Sequence, residues 1–303
     1  MSRVFAVIFI CLILLTGCDK SETPSHNKVA QEEKPLLIGL IPERNIFKQM
    51  ERYEPLANYL SQKVGRQIVM KILPRYGNII KNFVSLQLDG AFFGSFTGAM
   101  AQAKLGVIPL ARPEGFDGVS TYHGLIIVRK DSGIKTAKDM KNKTFAFVDK
   151  ATTAGYLLPL EYFAEHGIRD YKKYLKETYF AGTHEDVIYD VLYKKADIGA
   201  AKNTIFEQLA TNDGRIKNEL LVLEKSPVVP ENGLAVRKDL DKSIGDKLKE
   251  TLLNMHTDPE GIKVLKGFGA QRFIETTHQD YEPVFKYARH INLDLAKYDY
   301  MNE

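Results

Sequence analysis

From Leu36 onward, apolar and polar positions alternate along the chain in two rhythms. Short unbroken apolar runs read as buried strands, and runs with an apolar residue every three or four positions read as helices with one covered face. The run 36–41 is therefore expected to be a strand. It leads to a helix on which Tyr53, Leu56, Ala57, Leu60 and Val64 share a face, with Gly65 as its stop. The alternation continues with a strand over 68–73, a helix over 78–88, a strand over 90–93, a helix over 97–104 closed by Gly106, and a strand over 124–128. A second series follows: a helical turn over 136–140, a strand over 144–148, a helix over 154–166 stopped by Gly167, a strand over 177–180, a helix over 185–194, a strand over 197–200 and a helix over 204–210. Strands over 220–223 and 234–236 flank Ser226-Pro227-Val228-Val229-Pro230, which is too rich in proline for a regular element. The tail over 244–297 reads as mostly helical, interrupted at 267–270.

This alternation predicts an α/β fold with a sheet of parallel character, whose ligands collect at the carboxyl ends of strands and the amino ends of helices. The apolar runs that begin at Gly124 and Leu220 are each followed by a matching polar turn, Arg129-Lys130-Asp131 and Arg237-Lys238-Asp239. Two crossings of the chain would give one lobe from residues 36–125 with 231–303 and another from 126–230, with a cleft between them.

Ahead of this pattern stands a different one. Arg3 precedes twelve apolar residues, 4–15, and the run closes on Leu15-Thr16-Gly17-Cys18. Twelve residues are too few to span a bilayer, which needs about 20. A positive charge, a short apolar run and small residues before a cysteine are the marks of a lipoprotein signal peptide. Cleavage after residue 17 is expected to leave Cys18 carrying lipid, palmitate included, and to hold the protein on the extracytoplasmic or periplasmic face of a membrane. An ordinary secretory signal would export the chain as well. Residues 18–35, rich in Ser, Glu, Lys and Pro without an apolar period, read as a flexible linker.

The 303 residues carry two cysteines, Cys11 in the signal and Cys18 at the anchor, so no disulfide is expected and stability must come from a core. A net charge of +4 from interspersed charges lacks the basic stripe of a nucleic-acid surface, and no nucleic-acid partner is expected. There is no G-x-S-x-G, no Gly-Lys-Ser/Thr phosphate loop and no H-E-x-x-H. No catalytic residue, metal or cofactor is expected, and the chain reads as a monomeric binding protein rather than an enzyme. A cleft enzyme using His184 with Glu185 is the weaker alternative.

The strongest candidate site is Asp149-Lys150-Ala151-Thr152-Thr153-Ala154-Gly155, between a strand and a helix. Two hydroxyls beside the unpaired N–H groups of a helix start suit an oxyanion; the same threonines also fit a plain N-cap. Gly182-Thr183-His184-Glu185 holds the corresponding place one unit later. His184 could donate to an anion as neutral imidazole or as imidazolium, or simply follow a capping box of Thr183 with Asp186. Phe93-Gly94-Ser95 and Tyr76-Gly77 open two further strand-to-helix turns.

Together these segments resemble the phosphonate-binding family of periplasmic proteins that serve ABC transporters. The marks are Ile38-Gly39-Leu40-Ile41-Pro42, Tyr76-Gly77-Asn78-Ile79-Ile80, Phe93-Gly94-Ser95, Ala151-Thr152-Thr153-Ala154-Gly155, Ala181-Gly182-Thr183-His184-Glu185 and Ser226-Pro227-Val228-Val229-Pro230, in this order over 38–280. The resemblance implies a type II periplasmic binding protein, two α/β lobes with a hinge and a ligand cleft, that captures a phosphonate, phosphite or phosphate-like oxyanion. It implies that Thr152, Thr153 and the N–H groups near Ala154 hold the anion while Tyr76 and His184 close over it, with Phe93, Ser95 and Asn232 beside them. Phe93 stands where the family often has Tyr, and Ala154 where it has a third hydroxyl residue. Thr204 and Asn232 stand where members that take an aminoalkyl phosphonate carry carboxylates, so a smaller or differently substituted oxyanion is expected. The partner would be the membrane permease of an ABC transporter or, alternatively, a membrane sensor protein.

Overall fold

The computed structural model describes residues 34–43, 45–75 and 78–301. The expected signal peptide, Cys18, most of the linker and Tyr76 lie outside the described residues.

Two sheets divide the strands. The chain lays down β1 (Leu36–Leu40), β2 (Ile68–Ile72), β3 (Gly90–Phe93) and β4 (Ile108–Glu114), then a two-residue strand, β5 (Thr121–Tyr122). It next builds β6 (Gly124–Arg129), β7 (Thr144–Phe147), β8 (Glu177–Phe180), β9 (Ile198–Lys202) and β10 (Leu220–Lys225). After β11 (Val229–Pro230) it returns with β12 (Gly233–Val236) and β13 (Arg272–Glu275). The first sheet has the order β13-β4-β12-β3-β1-β2 and the second β10-β6-β9-β7-β8, while β5 and β11 pair only with each other. This is the α/β architecture of two sheet-containing lobes.

The sheets are mixed, not purely parallel. β1, β2 and β3 run parallel, but β12 runs antiparallel to β3 and β4, and β6 antiparallel to β9 and β10. The cause is the crossing itself. β1, β3 and β9 run toward the cleft, whereas β6 and β12 follow a crossing strand and must start there. The proline segment is also regular in part. Val229 and Pro230 pair with Tyr122 and Thr121, a ladder short enough for proline's missing donor to be tolerated.

Two strands of the first sheet were hidden in the sequence. β4 carries Pro109, Arg112 and Pro113 and so has no apolar run, yet it lies between β12 and β13, with the ladder skipping Leu110 of β4 opposite Leu234 and Ala235. β13 is an edge strand with one buried residue of four. The helix expected over 154–166 begins as a π-helix, Thr153–Leu157, before the α-helix Leu158–Glu165.

Aromatic packing fixes each lobe. Tyr53 meets Phe92 and Phe268 edge-on at 5.1 Å, with all three rings buried under the first sheet. In the second, Phe145 lies 4.4 Å from Phe147 and 5.5 Å from Phe163. Each such ring contributes about 1.5–3 kcal/mol by leaving water. The C-terminal tail reaches across the lobes, where Tyr298 donates to the Lys150 carbonyl at 3.0 Å and its ring meets Phe96.

Candidate functional site

Three helix amino ends meet between the lobes: Ser95–Leu105 after β3, the π-helix Thr153–Leu157 after β7, and His184–Leu192 after β8. Each directs the positive end of its backbone dipole inward. Gly155 makes the second approach close, because a Cβ there would stand 2.4 Å from Val148 Cγ2. The chamber they enclose measures about 10 Å³, the scale of a single water, so the lobes are shut on one another.

Thr152, Thr153, His184 and Asn232 all line this chamber. Neither threonine is a simple cap. Thr152 donates its hydroxyl to the Asp149 carbonyl at 2.7 Å. The Thr153 hydroxyl oxygen accepts from Phe96 N at 2.8 Å and lies 2.6 Å from Ser95 Oγ, which in turn lies 2.6 Å from the Tyr122 hydroxyl. Ser95 thus bridges the lobes just behind the chamber wall. Phe93 turns into the core of the first lobe, 5.7 Å from Phe83, and Ala154 packs beneath Gly124; neither is among the chamber's lining residues.

His184 is 4% exposed. Its Nδ1 faces the backbone N–H of Lys202 at 3.2 Å, and since that group can only donate, the ring is neutral with its proton on Nε2. Burial pushes its pKa down to about 3, against a smaller upward pull from Glu43. The imidazolium alternative is thereby excluded, because a buried ring already accepting at Nδ1 has no room for a second proton. Thr183 caps this helix by accepting from Asp186 N at 3.0 Å while its hydroxyl donates to the Asp186 carboxylate at 2.7 Å, so an N-cap and the inward histidine coexist.

Three charged or polar groups at the chamber, Lys202, Glu43 and Tyr122, escaped the sequence reading. Lys202, 2% exposed, lies 3.0 Å from Glu43 Oε1, bonds Glu231, and sits 4.4 Å from the centre of the Tyr122 ring. Burial works against its charge, but Glu231 and Glu43 raise its pKa above the ordinary lysine value. Burial would likewise raise Glu43, yet Lys202 and Arg52 hold it at about 2. The available signal was positional: Glu43 and Lys202 stand where β1 and β9 end, and a charge there points at the cleft. Tyr122 enters on the crossing strand β5, which has no sequence signature.

Asn232 completes the wall. Its Oδ1 faces Lys202 Nζ at 3.5 Å, and its Nδ2, fully buried, has no hydrogen-bond partner among the described residues. An unpartnered buried donor costs about 1–3 kcal/mol. Beside Nδ2 the chamber is lined by the neutral His184 ring, the first-turn N–H groups and two threonine hydroxyls, which can turn to a ligand only by giving up their present bonds, Thr152 to the Asp149 carbonyl and Thr153 to Ser95. These are donors suited to a tetrahedral oxyanion, and none of them needs a second desolvated charge. Among the described residues no group of three or more His, Cys, Asp or Glu is placed to hold a metal. No helix among them is long and apolar enough to cross a membrane.

Comparison with known proteins agrees with this geometry. Residues 38–281 match the family described as "ABC transporter, phosphonate, periplasmic substrate-binding protein". The phosphonates-binding periplasmic protein of Escherichia coli is 27% identical over 269 residues, spanning 86% of this chain and 78% of its own length. The probable ABC transporter phosphite-binding protein PhnD1 of Prochlorococcus marinus is 24% identical, spanning 87% of this chain and 92% of its own. Among solved structures, the binding-protein component of an ABC phosphonate transporter from Pseudomonas aeruginosa superposes with a TM-score of 0.78 at 26% identity. It covers 86% of this chain and 87% of its own. This family consists of transport receptors and not enzymes. The chain belongs to the phosphonate-type periplasmic substrate-binding proteins of ABC transporters.

Proposed function

We propose that this protein captures a small phosphorus oxyanion, a phosphonate, phosphite or phosphate, in the chamber between its lobes and delivers it to the permease of an ABC importer. The observation that carries the reading is the convergence of neutral polar groups in one buried space: the His184 ring, an Asn232 Nδ2 without a partner among the described residues, and the hydroxyls of Thr152 and Thr153, which exchange their bonds to Asp149 and Ser95 for the ligand, beside helix amino ends. In this reading Tyr76 joins the closing wall, and Ser95 and Thr153 release their mutual bond when the lobes part. The moving bodies are residues 36–125 with 231–303 and residues 126–230. The hinge is the β5–β11 pair, where Thr121 and Tyr122 meet Pro230 and Val229. The receptor works as a monomer, tethered to the extracytoplasmic face by lipid on Cys18, which keeps a captured anion within reach of the permease. Titration calorimetry against phosphite, phosphate, methylphosphonate and sulfate tests the reading. One-to-one binding of a phosphorus oxyanion supports it, and silence toward all three phosphorus compounds refutes it.

A further inference from the structure

The chamber is one of several spaces between the lobes. Outside it lies a larger one of about 660 Å³, bordered by Arg52, Thr204 and Phe268. Glu43 and Lys202 line both spaces, and Glu231 borders the outer one, so their ion pairs form the partition between them. An anion seated against the helix amino ends would direct its substituent at this partition.

The partition has the composition of a receptor for an ammonium ion. Two carboxylates, Glu43 and Glu231, an amide oxygen, Asn232 Oδ1, and the face of Tyr122 surround one point. That point is filled from within, by the Lys202 ammonium. The four-carbon stem reaches it from the end of β9, while the Lys202 backbone N–H separately holds His184 Nδ1. The two roles are separable: replacing the side chain leaves the bond that orients His184.

We propose that Lys202 acts as a built-in counter-cation that sets the specificity of the cleft, admitting a compact oxyanion without a positive substituent and excluding zwitterionic aminoalkyl phosphonates. This rests on the oxyanion reading above. A ligand bringing its own ammonium would meet two carboxylates already bonded to Lys202 and a like charge at their centre. A ligand ending in hydrogen, hydroxyl or methyl leaves the ion pairs intact.

The test compares methylphosphonate with 2-aminoethylphosphonate by calorimetry on the wild-type protein and on Lys202→Ala. In the wild type, 2-aminoethylphosphonate should bind at least 100-fold more weakly than methylphosphonate. In Lys202→Ala the order should reverse, because the freed carboxylates receive the ligand's ammonium, and added ethylammonium should restore methylphosphonate affinity by tenfold or more. Lys202→Ala with Glu231→Gln carries one uncompensated carboxylate fewer and serves if the single variant does not fold; the wild-type ratio is decisive in either case. Equal binding of the two ligands by the wild type, or a ratio unchanged by Lys202→Ala, overturns the role of Lys202 while leaving the oxyanion receptor standing. A wild type that binds neither of these compounds, nor phosphite or phosphate, overturns the receptor and this inference with it.

Discussion

The hydroxyls of Ser95 and Thr153 lie 2.6 Å apart across the cleft, each at the first residue of a helix in a different lobe. Under the proposed function the pair would link closure to anion capture, because the hydroxyl that joins the lobes is one of those the resemblance assigns to the ligand. Thr153→Val keeps the shape and removes the hydroxyl. It leaves Phe96 N without its partner and Ser95 with Tyr122 alone, so anion binding should weaken by about 1–3 kcal/mol. Calorimetry showing unchanged affinity would detach this pair from ligand closure.

Asn232→Ala separates binding from stability. Nδ2 has no partner among the described residues, and Oδ1 makes only a long 3.5 Å contact with Lys202 Nζ, which keeps Glu43 and Glu231, so removing the amide disturbs the protein's own bonds little. The unfolding free energy should move by no more than about 1 kcal/mol, while anion affinity falls by about 1–3 kcal/mol, roughly ten- to a hundredfold. Equal losses in both quantities would make Asn232 a structural residue only.

The pH behaviour follows from His184 and Glu43. His184 titrates at about 3 when folded against 6.5 ordinarily, so the unfolded chain takes up the proton first. Its contribution is fully present above about 6.5 and is lost as pH falls toward 3, at no more than about 1.4 kcal/mol per pH unit. Glu43, held at about 2 against 4.5, adds a further loss between those values. Denaturant unfolding across pH 4 to 8 should show this acid slope, and His184→Gln should flatten it between about 6.5 and 4.5. Because the ring is neutral throughout, its titration should leave anion affinity unchanged between pH 6 and 8.

Gly155→Ala tests the approach of the π-helix to β7. The new methyl would stand 2.4 Å from Val148 Cγ2, inside any real contact distance. Overpacking of this kind costs about 1–3 kcal/mol, and trimming Val148 to Ala in the same protein should return part of it. A thermal melt in which Gly155→Ala unfolds at the wild-type temperature would mean that the backbone yields freely there.

Lipid attachment has its own test. Cys18→Ala in cells should move the protein from the membrane fraction to the soluble extracytoplasmic fraction. Retention at the membrane would point to a different tether.

Strand-and-helix rhythm exposed most of the first lobe and nearly all of the second, because β1, β3, β6, β7 and β9 are buried on both faces and read as unbroken apolar runs. The rhythm failed where burial was bought with other residues: β4 hides behind Pro109 and Pro113, and β13 exposes three of its four side chains at least partly. At the site, turns between strand and helix located Thr152, Thr153 and His184. Lys202, Glu43 and Tyr122 were illegible for one reason. Their pairing joins residues 159 positions apart for Lys202 and Glu43, and a charge at the end of a strand reads as solvated until the opposite lobe is seen to cover it.

The central claim, a chamber of neutral donors that holds a phosphorus oxyanion, is tested most directly by calorimetric titration of the wild type and of Thr152→Ala/Thr153→Ala with methylphosphonate, phosphite and phosphate. The account predicts one-to-one binding of at least one of the three by the wild type, weakened by about 2–5 kcal/mol when both hydroxyls are removed. Binding that survives the double substitution undiminished, or no binding of any of the three by the wild type, would contradict it.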